Sequence, residues 1–162
     1  IVGPSSRRGR RSGIETLSFS SPPLTLLAAG SVDGSIALFD AAHRFAVRRH
    51  IKEAHEGAAV VKVEFLQTNL AALASRPAAA ATQGRPWLLT SVGMDGVVRR
   101  WDARGGTAAA AEGLLKEWKG HLGLVENGEG EQSGGIMGFV QGFDGKRVVT
   151  AGDDGVALVF EE

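Results

Sequence analysis

Three segments of the chain, LLAAGSVDGSIALFD, LLTSVGMDGVVRRWD and VVTAGDDGVALVFE, are related copies of one unit, and this repetition constrains the fold more than any other feature. They align without gaps on a turn aspartate, so that Asp33, Asp95 and Asp154 correspond. Each is followed by a glycine (Gly34, Gly96, Gly155), and an aromatic residue stands six positions after the aspartate, at Phe39, Trp101 and Phe160. A short apolar run precedes each Asp-Gly and an alternating run follows it, as in Val97-Val98-Arg99-Arg100-Trp101. Asp-Gly between two such runs marks a β-hairpin, because glycine accepts the positive φ of a tight turn without steric cost. Each unit is therefore expected to be a hairpin.

Upstream of each hairpin lies another strand pattern, at residues 14–19, 60–65 and 136–140, and downstream of the first two lie further ones at 44–51 and 114–118. Residues 108–118 are also compatible with a helix on propensity, being rich in Ala, Leu, Glu and Lys. The repeat favours a strand there. The fold is thus expected to be all-β, with four-stranded antiparallel units.

A 43% hydrophobic share over 162 residues is enough to build a core. The 18 basic and 18 acidic residues cancel, leaving no global field to favour nucleic acid or an anionic membrane as partner. The chain has no cysteine, which removes disulfides and thiolate metal sites. Its longest strongly apolar run, residues 24–29, falls far short of the roughly 20 residues of a membrane helix. Residues 1–13 form a basic segment with Arg7, Arg8, Arg10 and Arg11 but no apolar region beside them, so they do not form a secretory signal pattern. A cytoplasmic or nuclear location is the resulting expectation.

Trp101-Asp102, Gly120-His121 and the aligned turn aspartates resemble the WD-repeat (WD40) family, with Phe39-Asp40, Phe160-Glu161 and Ala54-His55 as degenerate copies. The resemblance implies four-stranded blades set radially about a channel. It divides the chain into blade 1 (14–51), blade 2 (52–118, with an inserted loop at 67–86) and blade 3 (119–162, with an inserted loop at 122–135). The two insertions account for aspartates spaced 62 and 59 residues apart, where the family repeats every 40 to 45 or so. Both insertions are expected to be exposed loops. The last blade ends without an outer strand, and about three blades do not close a ring, so the chain is expected to be the C-terminal part of a larger propeller.

In the family a loop histidine, a strand hydroxyl, the turn aspartate and the strand tryptophan form a buried hydrogen-bond network. The matching residues are His55, Ser91, Asp95 and Trp101 in blade 2, and His121, Thr150 and Asp154 in blade 3, where Phe160 replaces the tryptophan. Blade 1 matches only at Asp33, with Ala29 at the hydroxyl position and Phe39 at the aromatic one, and is expected to rely on packing.

His55, Ser91 and Asp95 are also the residue types of a hydrolase triad. No G-x-S-x-G elbow surrounds Ser91, and the set recurs in blade 3, as a structural device would. The four histidines, His43, His50, His55 and His121, lack metal-ligand spacing. Gly128-Glu129-Gly130-Glu131 departs from a phosphate-binding glycine loop and carries repelling charge. No catalytic set, cofactor, metal or small-molecule substrate is therefore expected. The expected function is a non-catalytic scaffold for protein complexes, with Arg99, Arg100 and Arg104 as candidate partner contacts. Trp101-Asp102-Ala103-Arg104 also matches the W-D-x-R sequence of cullin-type ubiquitin ligase receptors, which makes a ligase adaptor a second candidate partner. An enzyme or a modified-peptide reader built on the complete propeller is the remaining alternative.

Overall fold

The computed structural model describes residues 12–67, 85–105, 113–123, 125–126 and 132–162. The arginines at positions 7–11, the alanine run at 78–81 and residues 128–131 lie outside the described residues.

The chain is all-β. Strands β1 (Ile14–Phe19), β2 (Leu26–Ser31), β3 (Ile36–Asp40) and β4 (Ala46–Ile51) form an antiparallel sheet in that order. A second sheet repeats the pattern with β5 (Val60–Phe65), β6 (Leu88–Gly93), β7 (Val97–Asp102) and β8 (Leu114–Lys119). Two short strands, β9 (Val125–Glu126) and β10 (Gln132–Ser133), pair with each other. A third sheet contains β11 (Ile136–Gln141), β12 (Arg147–Gly152) and β13 (Ala157–Glu161), and has no fourth strand among the described residues. The ambiguous stretch 108–118 is a strand from Leu114 onward, since a helix would satisfy its own backbone but leave the edge of β7 unpaired.

Two local expectations are corrected. The strand pattern at 44–51 starts only at Ala46, because Ala41–His43 form a 3-10 turn and Arg44 and Phe45 take positive φ values of 55° and 57°. Asp40 caps that turn by accepting from the Ala42 amide at 3.1 Å. The segment 122–135 is not simply an exposed loop, since it holds the β9–β10 ladder and its ends are tied by Gly123 N–H donating to Gly134 C=O at 2.8 Å. Gly123, Gly134 and Gly135 are buried.

The sheets stack face to face, and burial records the stacking. In the middle sheet β6 is buried throughout and β7 nearly so, since both faces are covered. In β1 and β13 half-buried and exposed positions alternate, because each stands on an end sheet with one uncovered face. One cluster, including Ile36, Leu38, Ile51, Val63, Phe65 and Trp101, joins the first sheet to the second. Another, of Val92, Val98, Ile136, Phe139 and Val148, joins the second to the third. The innermost strands β1 and β5 touch through side chains: Thr16 and Ser18 hydroxyls accept from the Val63 and Phe65 amides at 3.2 and 3.0 Å. The uncovered outer faces carry large apolar groups, among them Leu17 and Phe19 at one end and Val140 and Val159 at the other.

Bulges recur with the repeat. Each innermost strand has one residue skipped in the pairing (Glu15, Val61, Met137). The outer strands β4 and β8 each skip one as well, at Arg48 and Leu115. A bulge turns two consecutive side chains toward one side of a strand, which bears on the cleft described below.

Candidate functional site

The loop between β4 and β5 delivers His55 to the turn between β6 and β7, where it is fully buried. Its Nδ1 lies 2.8 Å from Asp95 Oδ1 and its Nε2 lies 2.8 Å from Ser91 Oγ. The Trp101 indole N–H donates to the same Ser91 oxygen at 2.8 Å. Indole nitrogen can only donate, so Ser91 accepts from Trp101; the Asp95 carboxylate can only accept, so in the neutral imidazole Nε2 is the acceptor and takes the Ser91 hydroxyl proton. That assigns the imidazole proton to Nδ1, which donates to Asp95. Every polar group in the chain from tryptophan to carboxylate is then satisfied away from water.

Gly93 makes room for this arrangement. A Cβ at that position would come within 2.5 Å of His55 Nδ1 and 2.9 Å of Asp95 Oδ1, so any side chain there would displace the histidine. Gly152 has the same place in the third sheet. There His121 Nε2 meets Thr150 Oγ1 at 2.7 Å and its Nδ1 donates to Asp154 Oδ2 at 2.9 Å. Phe160 provides no donor to Thr150, so this network is one hydrogen bond shorter.

The first sheet solves the same problem differently, and sequence reasoning missed it. The position matching Gly93 and Gly152 is Ser31, whose hydroxyl donates to Asp33. Ser35 Oγ and Ser35 N–H donate to the same carboxylate at 2.7 and 3.0 Å. Serine instead of glycine two residues before the turn aspartate was the available signal: among the described residues no histidine reaches Asp33, and small hydroxyls take that place. The hydrogen bonds, from Ser31 first and Ser35 next, pull the Asp33 carboxyl from 3.8 down to about 2. A depressed folded-state pKa stabilises the fold at pH values above the ordinary 3.8, and that contribution is lost as pH falls from about 4 toward 2. Replacing both Ser31 and Ser35 by alanine is expected to bring the Asp33 pKa back toward 3.8, read by carboxyl carbon-13 NMR titration. An unchanged titration midpoint would show that the serines do not set it.

Two of the three arginines expected on a contact surface are not on one. Arg99 is 4% exposed; its Nη1 donates to Asp95 Oδ2 and its Nε to Glu117 Oε2 at 2.8 Å, and Nη2 pairs with Glu56 at 3.4 Å. Burial raises the Asp95 carboxyl pKa, but His55 and Arg99 more than offset this and hold it below the ordinary range. Arg100 is fully buried between the second and third sheets, with Nη1 donating to Glu162 Oε2 at 3.2 Å and the guanidinium 5.1 Å above the Trp118 ring. Neither is available to a partner, because β7 is covered on both faces. Arg104 does stand at the surface. Its Nε and Nη2 donate to the Asp102 carboxylate at 3.0 and 2.7 Å, and it lies 4.0 Å over the Trp87 ring.

The triad-like set has hydrolase-type contacts, yet Ser91 and His55 have no accessible surface and the serine oxygen is already engaged by Trp101. A substrate has no approach to that oxygen in this arrangement. His43 and His50 are exposed, with His43 Nδ1 2.9 Å from Asp40. Among the described residues no group of three or more His, Asp or Glu side chains is placed to hold a metal, and no helix is long and apolar enough to cross a membrane.

Two hollows open at opposite ends of the first sheet. At the hairpin-turn end, Asp33, Lys52, Glu53, Glu56 and Gly57 line a shallow one of about 450 Å³. At the other end, between the first two sheets, a cleft of about 390 Å³ is bordered by Arg48, Arg49 and Arg104.

No family model matches the chain. It is 33% identical over 138 residues to an uncharacterized WD repeat-containing protein of Schizosaccharomyces pombe, an alignment covering 85% of the chain and 25% of that protein. Among solved structures it is similar to Chaetomium thermophilum Sqt1 bound to the N-terminus of the ribosomal protein L10, with 54% identity and a TM-score of 0.70 over 92% of the chain and 32% of Sqt1. It is also similar to Saccharomyces cerevisiae Sqt1, with 25% identity and a TM-score of 0.61 over 93% of the chain and 31% of that protein. The chain therefore spans about a quarter to a third of the length of these relatives.

Proposed function

Because the chain belongs to the WD-repeat β-propeller family, we propose that it is part of a platform that holds another protein, and that the segment held is the N-terminus of ribosomal protein L10. The observation that carries this reading is 54% identity over 92% of the chain to a protein crystallised with that segment bound. At this identity the hairpins, networks and interblade contacts are expected to be shared, and with them the surface they present. The role is one of binding. The polar constellations in the chain are used internally: the His55 and His121 networks tie down the loops at the turn end of the second and third sheets, which suits a rigid recognition surface better than turnover. A protein that meets a ribosomal protein in this way would act in the cytoplasm or nucleus.

The test is isothermal titration of the intact protein with a peptide copied from the L10 N-terminus of the same organism, beside a scrambled peptide of equal composition. Saturable binding of the native peptide alone is the expected result. Equal or absent binding of the two would overturn the L10 assignment.

Arg104 favours a second reading only weakly. It is the one arginine of the W-D-x-R match at the surface, with a side chain 54% exposed. An adaptor of a cullin-type ligase would have to displace the Asp102 carboxylate from it. Co-purification of such an adaptor with the wild-type protein but not with Arg104→Glu is what this reading requires.

A further inference from the structure

We propose that the cleft between the first two sheets, at the end away from the hairpin turns, binds an acidic peptide segment of a partner protein through Arg48 and Arg49. This site does not depend on the L10 reading.

The bulge in β4 creates the site. Leu38 pairs with Arg49 and Phe39 with Val47, so Arg48 is the skipped residue. In a regular strand Arg48 and Arg49 would face opposite sides, whereas here both border one cleft. The equivalent bulge in β8 carries Leu115 and Lys116, so the arginine pair is particular to the first sheet.

The two arginines do different work. Arg49 is half-buried and anchored: its Nη2 donates to Asp102 C=O at 2.7 Å. Gly113, at φ +77°, lets the guanidinium lie against the backbone, since a Cβ there would meet Arg49 Nη1 at 3.0 Å. Arg104 across the cleft is already committed to Asp102. Arg48 is exposed and makes no hydrogen bond or ion pair among the described residues. It is therefore the cation left over for a ligand.

Charge and shape narrow the ligand class. Asp40 also borders the cleft, which disfavours a doubly charged phosphate and suits a single carboxylate. Leu24, Leu26 and Val47 supply an apolar wall beside the arginines. An exposed ion pair alone is weak, so binding needs the apolar wall as well. A volume of about 390 Å³ accommodates a few side chains of an extended segment in which acidic and apolar residues are neighbours.

The probe is a short fluorescein-labelled peptide alternating leucine and glutamate, titrated against the intact protein by fluorescence anisotropy. Its glutamine counterpart and an all-glutamate peptide serve as comparisons. The leucine-glutamate peptide is expected to bind at least about tenfold more tightly than either. Arg48→Glu and Arg48→Ala should each remove that preference, with circular dichroism unchanged because the side chain is exposed. Arg147→Glu, on the third sheet, should leave it intact. The proposal is overturned if the glutamate and glutamine peptides bind alike, or if both Arg48 variants retain the preference. Displacement of the peptide by millimolar inorganic phosphate with direct phosphate binding at Arg48 would also overturn it, by identifying phosphate as the ligand.

Discussion

Arg99→Ala is expected to destabilise the protein by about 3–5 kcal/mol, whereas Arg104→Ala, at the far end of the same hairpin arm, should cost about 0–1 kcal/mol. The two residues are close in the chain and identical in chemistry, and burial alone separates them. Removing Arg99 leaves Asp95 and Glu117 without their guanidinium, and Asp95 is only 11% exposed, so its charge stays in a poorly solvated place. Removing Arg104 frees Asp102 to hydrate, and the stacking on Trp87 that disappears with it is at the surface. Glu117 is 29% exposed and partly rescued by Lys119, which pulls the expected cost toward the lower end of the range. Urea unfolding of the intact protein followed by tryptophan fluorescence measures the difference. Equal midpoints for the two variants would mean that the Arg99 network carries no net stability.

Phe65→Ala should be of similar size, about 3–5 kcal/mol, through a different cause. Phe65 has no exposed surface and lies in the cluster that joins the first sheet to the second. Truncation leaves a cavity walled by side chains of both sheets, which cannot collapse without moving one sheet relative to the other. The loss should therefore be one of coupling as well as of total stability. Hydrogen exchange is expected to quicken first in β1 and β5, which are linked through side chains, as by Ser18 to the Phe65 amide. A loss below about 1 kcal/mol, or exchange that quickens only in the third sheet, would show that the interblade seam does not depend on this ring.

The parts of the structure legible in the sequence are those specified by local chemistry. Asp33-Gly34, Asp95-Gly96 and Asp154-Gly155 each form the turn of a hairpin, with glycine φ values of 82°, 76° and 75°. Strands β1 and β5 have the limits that their apolar alternation suggested. His55, Ser91, Asp95 and Trp101 come together because a donor-only indole, a hydroxyl, an imidazole and a carboxylate complete one another. Arg44 and Phe45 were not legible, because nothing in their side chains announces a left-handed turn. The serine cluster on Asp33 was hidden for another reason: it replaces a histidine from a distant loop with hydroxyls from the turn itself, and its sole trace is Ser31 where the other repeats have glycine.

What the sequence determined by itself, then, is the hairpin, its period and the polar set at the second and third turns, all of which depend on residues close in the chain or on a repeat that can be aligned. What only the tertiary structure decided is which side of each strand is covered. Alternation along β7 places Arg99 and Arg100 on opposite faces, but it cannot say that a sheet lies against both, and so it could not show that neither arginine is free. The same holds for Arg48, whose availability depends on a one-residue bulge against β3. Side-chain direction is a local property of a strand; solvent exposure is a property of what packs against it, and that is set by the stacking of whole blades.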